Sequence, residues 1–211
     1  MPGVQRSTTG TYLKVVAGNI VEEVEEGTEG ARKRAWEAAG KKGVKFELVY
    51  SAWEGVIENI EIKEMEFGKI CNIKFADAII SLNTESRYFQ DFACKVFNAD
   101  LSKSVIFHPY DIEDDKGHKT GVSFQQNGKK LSNYFYDFKK KERLHDFPAP
   151  DETQTVKKGY WKFYFASVAE FLIEKIQELK FQPSLEPKEE LKWPLDDFAE
   201  DVGPTPDDLP F

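Results

Sequence analysis

The sequence predicts a mainly β fold with α additions: a five-stranded Greek-key barrel with a helix between its third and fourth strands, extended by an N-terminal hairpin and helix, a C-terminal helix and a disordered acidic tail. Three observations predict it. Segments of strand-like alternation outnumber helical ones and run in the order long bent strand, strand, strand, helix, strand, strand. A chain of 211 residues is long enough for one substantial core, which takes roughly 70% of the unfolded surface out of water. After Pro183, prolines and acids replace any apolar period. The implied organisation is one domain over 1–182 and a tail over 183–211.

The first dozen residues are polar and form a lead-in. TYLKVVAGNIVEEV alternates as a hairpin, with Gly18-Asn19 at its turn. Thr28 can cap a short helix, EGARKRAWEAA, favoured by its alanines and ended by Gly40 and Gly43. From Lys45, KFELVYSAWEGVIENIEIKEM alternates for more than a dozen residues, as one long strand bent at Gly55. Phe67-Gly68 turns into KICNIKFAD, and AIISLN is a short strand after Asp77. In ESRYFQDFACKVFNADL, the side chains Tyr88, Phe89, Phe92, Val96 and Phe97 fall at helical spacing.

SVIFHPYDI then reads as a strand, DDKGHKTG as a turn and VSFQQ as a strand. Asn127-Gly128 is the strongest hairpin signal, with KKLSNYFYDF as the returning arm. Beyond a polar loop around Pro148 and Pro150, Val168, Phe171, Leu172, Ile176 and Leu179 mark an amphipathic helix, whose start at Tyr160 to Phe165 also reads as a strand. This order is that of the OB-fold, a barrel whose face and loops bind oligonucleotides, although other meandering β folds with one helix share it.

Composition narrows the function. No apolar run of about 18 residues could span a bilayer, and MPGVQRSTTG has no apolar signal region, so a soluble, cytoplasmic protein is expected. Cys71 and Cys94 lie in apolar stretches without CxxC spacing, as buried thiols of a reducing compartment. His108, His118 and His145 are scattered, which argues against zinc. The chain has no GxGxxG, GxxxxGK[ST], HExxH or GxSxG, so neither an enzyme nor a cofactor is expected. Asp77, Glu85 and Asp91 read as helix-capping and exposed helix-face residues rather than metal ligands.

The formal net charge of −8 is unevenly placed. Residues 183–211 hold nine acids and two lysines, a net −7, which leaves 27 bases and 28 acids before them. Within that near-neutral body, Lys116 to Arg143 holds eight bases and two acids. Local potential rather than total charge draws a polyanion to a surface.

Single strands are held by cations that track the backbone and rings that stack on bases, at about 1 to 3 kcal/mol per base. Lys129, Lys130, Tyr134, Tyr136, Lys139, Lys140 and Lys141 interleave both kinds on one predicted hairpin arm, with Lys119 just before it. Tyr50, Trp53, Phe75, Phe107 and Tyr110 are further stacking candidates from other strands, although most aromatic residues of any chain belong to its core. Arg32, Lys33 and Arg34 form a second basic cluster that reads as a solvated helix face.

As the sequence stands it closes on Asp207, Asp208, Leu209, Pro210 and Phe211, which offer a partner an apolar ring, an α-carboxylate and acids that steer the encounter. This DDLPF tip is similar to the C-terminal tip of bacterial single-stranded-DNA-binding proteins, and phage proteins of that kind also end in acids and an aromatic residue. The body resembles phage OB-fold single-stranded-DNA-binding proteins in its strand order and in stretches such as FELVYSAWEGVI and GVSFQQNGKKL. The resemblance implies a DNA-binding groove, a tail that recruits replication, recombination or repair proteins, and no catalysis. The extra length at both ends of the body leaves self-association into a homo-oligomer open. The alternative is an interaction adaptor of the replication machinery that binds no DNA. Leu191, Trp193, Leu195 and Phe198 give the tail a second apolar motif that a mere solubiliser would not need.

Overall fold

A computed structural model describes residues 10–38, 40–66, 68–115 and 117–179. The start of the lead-in, Phe67, Lys116 and the acidic tail with its DDLPF tip lie outside the described residues.

The N-terminal segment is the middle of the fold rather than an addition to it. Its strands β1 (Thr11–Val16) and β2 (Asn19–Val24) form the expected hairpin. The turn is Ala17-Gly18, one residue earlier than expected, with both φ angles positive at 46° and 72°. Gly18 is needed there because a Cβ would sit 2.5 Å from the Asp111 backbone nitrogen. Leu13 and Ile20 are fully buried, so this hairpin must be covered on one face.

The predicted helix at residues 29–39 is instead a strand, β3 (Arg32–Ala38), which pairs antiparallel with β4 (Lys41–Tyr50) from Arg32 opposite Glu47 to Ala38 opposite Lys41. The predicted long bent strand is likewise three strands: β4, β5 (Trp53–Gly55) and β6 (Ile57–Met65), with breaks at Ser51-Ala52 and at Val56. Gly55 is the last residue of β5, next to the break at Val56 where the chain passes to the large sheet. After β7 (Gly68–Phe75) and β8 (Ala78–Asn83), the seven-stranded sheet has the order β3-β4-β2-β1-β8-β7-β6. Its described ladders are antiparallel except β1 with β8, which is parallel, with Leu13 beside Ile80.

The second sheet holds β9 (Val105–Asp114), β10 (Gly117–Gln126) and β11 (Lys129–Lys130), in the order β11-β10-β9-β5. Residues expected to turn, DDKGHKTG, mostly continue β9 and β10. Asn127-Gly128 makes the expected tight turn with φ values of 52° and 72°. The returning arm, however, leaves the sheet after Leu131, whose N–H bonds the Phe124 carbonyl at 2.8 Å. Its continuation is a separate ribbon of β12 (Tyr136–Asp137) and β13 (Glu142–Arg143).

The five-stranded barrel is therefore overturned: the fold is mainly β, with a seven-stranded mixed sheet, a four-stranded sheet, a ribbon and two helices among the described residues. The physical cause is the split of residues 41–65. β5 crosses to the second sheet to pair with β9, and β4 and β6 are thereby parted to opposite sides of the large sheet. A closed barrel requires neighbouring strands to stay in register around the circuit, and this chain divides them between two sheets.

Helices α1 (Arg87–Val96) and α2 (Tyr160–Glu178) form where the apolar spacing predicts them, α2 being helical from Tyr160 onward. The cap of α1 is Ser86, whose hydroxyl accepts the Phe89 N–H, rather than Asp77 or Glu85. The core lies between the inner face of the large sheet (Leu13, Ile73, Phe75, Ile80), the helices (Phe89, Phe92, Leu172, Ile176) and the second sheet (Phe107, Phe124). Phe92 makes edge contacts with both Phe107 and Phe124, at 5.9 and 5.3 Å between ring centroids.

Candidate nucleic-acid interface

Alternation along β9 and β10 assigns opposite duties to neighbouring residues. Phe107 and Phe124 face each other across the ladder on the core side and are fully buried. On the outer side His108 faces Ser123, Tyr110 faces Gly121 and Ile112 faces Lys119. Lys130 and Leu131 from the hairpin and Lys95 from α1 complete the walls of a groove of about 630 Å³.

The hairpin turn places Lys129 and Lys130, both exposed, beside this face. α1 meets the same edge of β10, two residues from the Phe124 carbonyl that Leu131 bonds. Asp91 Oδ2 accepts the Val122 N–H at 2.7 Å, and Lys95 Nζ donates to the Val122 carbonyl at 2.6 Å and to Asp91 at 2.8 Å. These bonds satisfy part of the β10 edge that no strand covers, so Asp91 is a structural acid and not an exposed helix-face residue. A Cβ on residue 121 would lie 2.5 Å from both the Tyr110 hydroxyl and Asp91 Oδ2, so Gly121 lets the phenol cross β10 toward the carboxylate. Burial raises the Tyr110 pKa, with the Asp91 charge acting the same way, so the ring is neutral across the physiological range.

Of the residues proposed from sequence, Tyr110, Lys119 and Lys130 meet in the groove and Lys129 lies at its edge. Five others do not serve as stacking rings. Phe75 and Phe107 are core residues, at 1% and 0% exposure. Tyr134 is stacked on His145 at 3.9 Å and on Phe97 at 5.3 Å, which occupies its faces. Tyr50 meets Trp53 edge-on at 5.4 Å and donates its hydroxyl to Glu22, so this half-buried pair belongs to the junction between the sheets.

The single arm expected to carry Lys129 to Lys141 does not exist. Tyr136, edge-on to Phe138, and Lys139, Lys140 and Lys141 belong to the β12–β13 ribbon and its turn, where the Lys139 and Lys140 N–H groups bond Asp137. The segment leading into the ribbon is tied to the end of α1 by the Tyr134 N–H to the Cys94 carbonyl and by Asn98 to the Ser132 carbonyl. The three lysines are exposed, but they do not continue the β11 strand.

Sequence reasoning missed His108, Ile112, Gln125 and Lys95 as groove residues. The signal was present for the first two, since they share the parity of Tyr110 in a strand that was itself recognised. The cluster of Arg32, Lys33 and Arg34 also changes meaning: Arg34 and Arg32 bind Glu47 at 2.6 and 3.6 Å, so these two arginines are fixed in the sheet. Cys71 and Cys94 are both buried, and burial pushes each thiol up to about 12. Among the described residues, no three His, Cys, Asp or Glu side chains gather to hold a metal ion, and no helix is long and apolar enough to cross a membrane.

Comparison of the chain with protein-family models, with curated proteins and with solved structures finds no match.

Proposed function

We propose that this chain is a non-catalytic protein that holds single-stranded DNA across the outer face of β9, β10 and β11 and recruits replication or recombination proteins through its DDLPF tip. The observation that carries the reading is the groove of about 630 Å³ in which Lys119 and Lys130 flank the Tyr110 ring and the His108 imidazole. Exposed ammonium groups can follow phosphates while rings and the half-exposed Ile112 give bases an apolar surface. Such contacts read little sequence, because every base has a stacking face and every nucleotide a phosphate.

An anisotropy titration with labelled oligo-dT tests this. Three lysines on phosphates imply that the logarithm of affinity falls against the logarithm of salt with a slope of roughly −2, at about −0.7 per phosphate on a single strand. Substituting Lys119→Glu and Lys130→Glu together is expected to weaken binding roughly tenfold or more at low salt. Binding that ignores both salt and the two substitutions would sink the groove as the site.

A second reading, an interaction adaptor that binds no DNA, is favoured by one observation: Val156 in the turn before α2 and Trp161 and Phe163 near its start are exposed. It expects no salt-dependent response to oligo-dT. The same titration separates the two.

A further inference from the structure

We propose that the outer edge of β3 is a self-association surface, on which a second copy of this chain adds its own β3 antiparallel about a two-fold axis at Ala35, joining two seven-stranded sheets into one. β3 ends the large sheet, and among the described residues no strand covers its outer edge. Its seven residues pair with β4 without a shift of register. A free edge of that length, with neither bulge nor proline, is a template for another strand. The Trp36 indole leaves this edge open. It lies back over Gly43 of β4, where a Cβ would be 2.6 Å from the indole nitrogen.

The ladder decides which groups the edge offers. Ala38 and Lys41 flank the two-residue connection to β4 and so form a hydrogen-bonded pair, and such pairs alternate with unbonded ones along an antiparallel ladder. Counting back from Ala38, the backbones of Trp36, Arg34 and Arg32 bond inward to β4. Lys33, Ala35 and Glu37 therefore turn their N–H and C=O groups outward. A second β3 must match outward residues to outward residues. With the axis at Ala35, Lys33 meets Glu37 of the second copy, Glu37 meets Lys33 of the second copy, and Ala35 meets its own mate. All seven residues are then paired.

Charge selects the same register. Lys33 and Glu37 are both exposed, and Glu37 already meets Lys42 of its own hairpin at 3.2 Å. Lys33 of the second copy flanks Glu37 from the other side, so signs alternate across the joined sheets. On the opposite face each Arg34 stands across from a Trp36 ring, a favourable neighbour for a guanidinium. Moving the axis to Arg34 or Trp36 leaves two residues of each strand unpaired, and at Arg34 it sets two guanidinium groups against each other. The other end of the sheet behaves oppositely: β6 paired with itself about its middle residue sets Glu61 against Glu61 and Glu58 against Glu64. Like charges directly opposite destabilise a strand pair, so of the two edges only β3 is complementary to itself. A two-fold contact of this kind closes as a dimer.

Sedimentation of the full-length chain between roughly 10 μM and 1 mM tests this, the range suited to an interface under about 1,200 Å². The expected result is an apparent mass that climbs from 24.2 kDa toward twice that value. Lys33→Glu should weaken association roughly tenfold, because both Lys33–Glu37 contacts become repulsive, and adding Glu37→Lys should restore most of it. Both positions are exposed, so circular dichroism should not change. Oxidation reads the register. Ala35→Cys sets two thiols opposite each other at a Cα separation of about 5.5 Å, within disulfide reach, whereas Glu37→Cys leaves them about 14 Å apart along the strands. Cys71 and Cys94 are buried and do not compete. The proposal is overturned if the chain stays a monomer throughout, if association ignores the charge reversal, or if Glu37→Cys cross-links as readily as Ala35→Cys. None of these readouts involves DNA, so the dimer and the oligo-dT reading stand or fall separately.

Discussion

Glu47 is 2% exposed, and Arg34 Nε donates to both of its oxygens, at 2.8 and 2.9 Å. The Arg34 hydrogen bond outweighs burial and, with the Arg34 and Arg32 charges, holds this carboxyl below its ordinary range. A carboxyl whose folded-state pKa is depressed contributes stability above its unfolded pKa of about 4.3 and loses it as pH falls through the folded value. Glu47→Gln should therefore destabilise the chain by about 1 to 3 kcal/mol at pH 7 and by clearly less at pH 3, read from urea midpoints. Equal losses at both pH values would show that the ion pair carries no such weight. The arginines were legible as charges, but their partner was not, because Glu47 is 13 residues from Arg34 and only the β3–β4 register joins them. The aromatic residues follow the same rule. Phe107 and Tyr110 are both rings of one strand, and alternation sets them on opposite faces without saying which face is covered.

At the scale of elements, α1 was the most legible piece, since its apolar spacing is a local signal, although its cap fell to Ser86 and not to Asp77 or Glu85. Its inner rings join the second sheet to the core, so Phe92→Ala should cost about 3 to 5 kcal/mol by urea denaturation. A loss well under 1 kcal/mol would mean that the site collapses around the gap or is less tightly packed than its contacts imply, on the order of a surface change. β3 was the least legible element. Its alanines favour helix only by tenths of a kcal/mol per residue, on the order of a weak prior. Seven paired positions on β4 and the Arg32 and Arg34 contacts with Glu47 outweigh that preference. The division of residues 41–65 was hidden for a related reason: all three strands alternate, so the pattern runs on while the pairing partner changes at Ser51-Ala52 and at Val56.

For the whole molecule, charge is the property that reaches farthest. Residues 183–211 carry a net −7 on a body close to neutral, and the proposed function makes them a tethered competitor for the lysine groove. A chain truncated after Gln182 should then bind oligo-dT several-fold more tightly at low salt, with the difference fading as the Debye length shortens to about 10 Å near 0.1 M. Equal affinities at low salt would reject the competition. The sequence by itself determined part of what is local: where α1 coils, where the tight Asn127-Gly128 turn falls and where the charge accumulates, although it read β3 as a helix and the β9–β10 connection as a turn. Only the tertiary structure decided which strands are neighbours. It set Thr11 beside Ala78 in the middle of a seven-stranded sheet and moved β5 into a second one. The reason is that a strand's alternation encodes its two faces but not the identity of the edge it hydrogen-bonds, which is chosen by packing of the complete core.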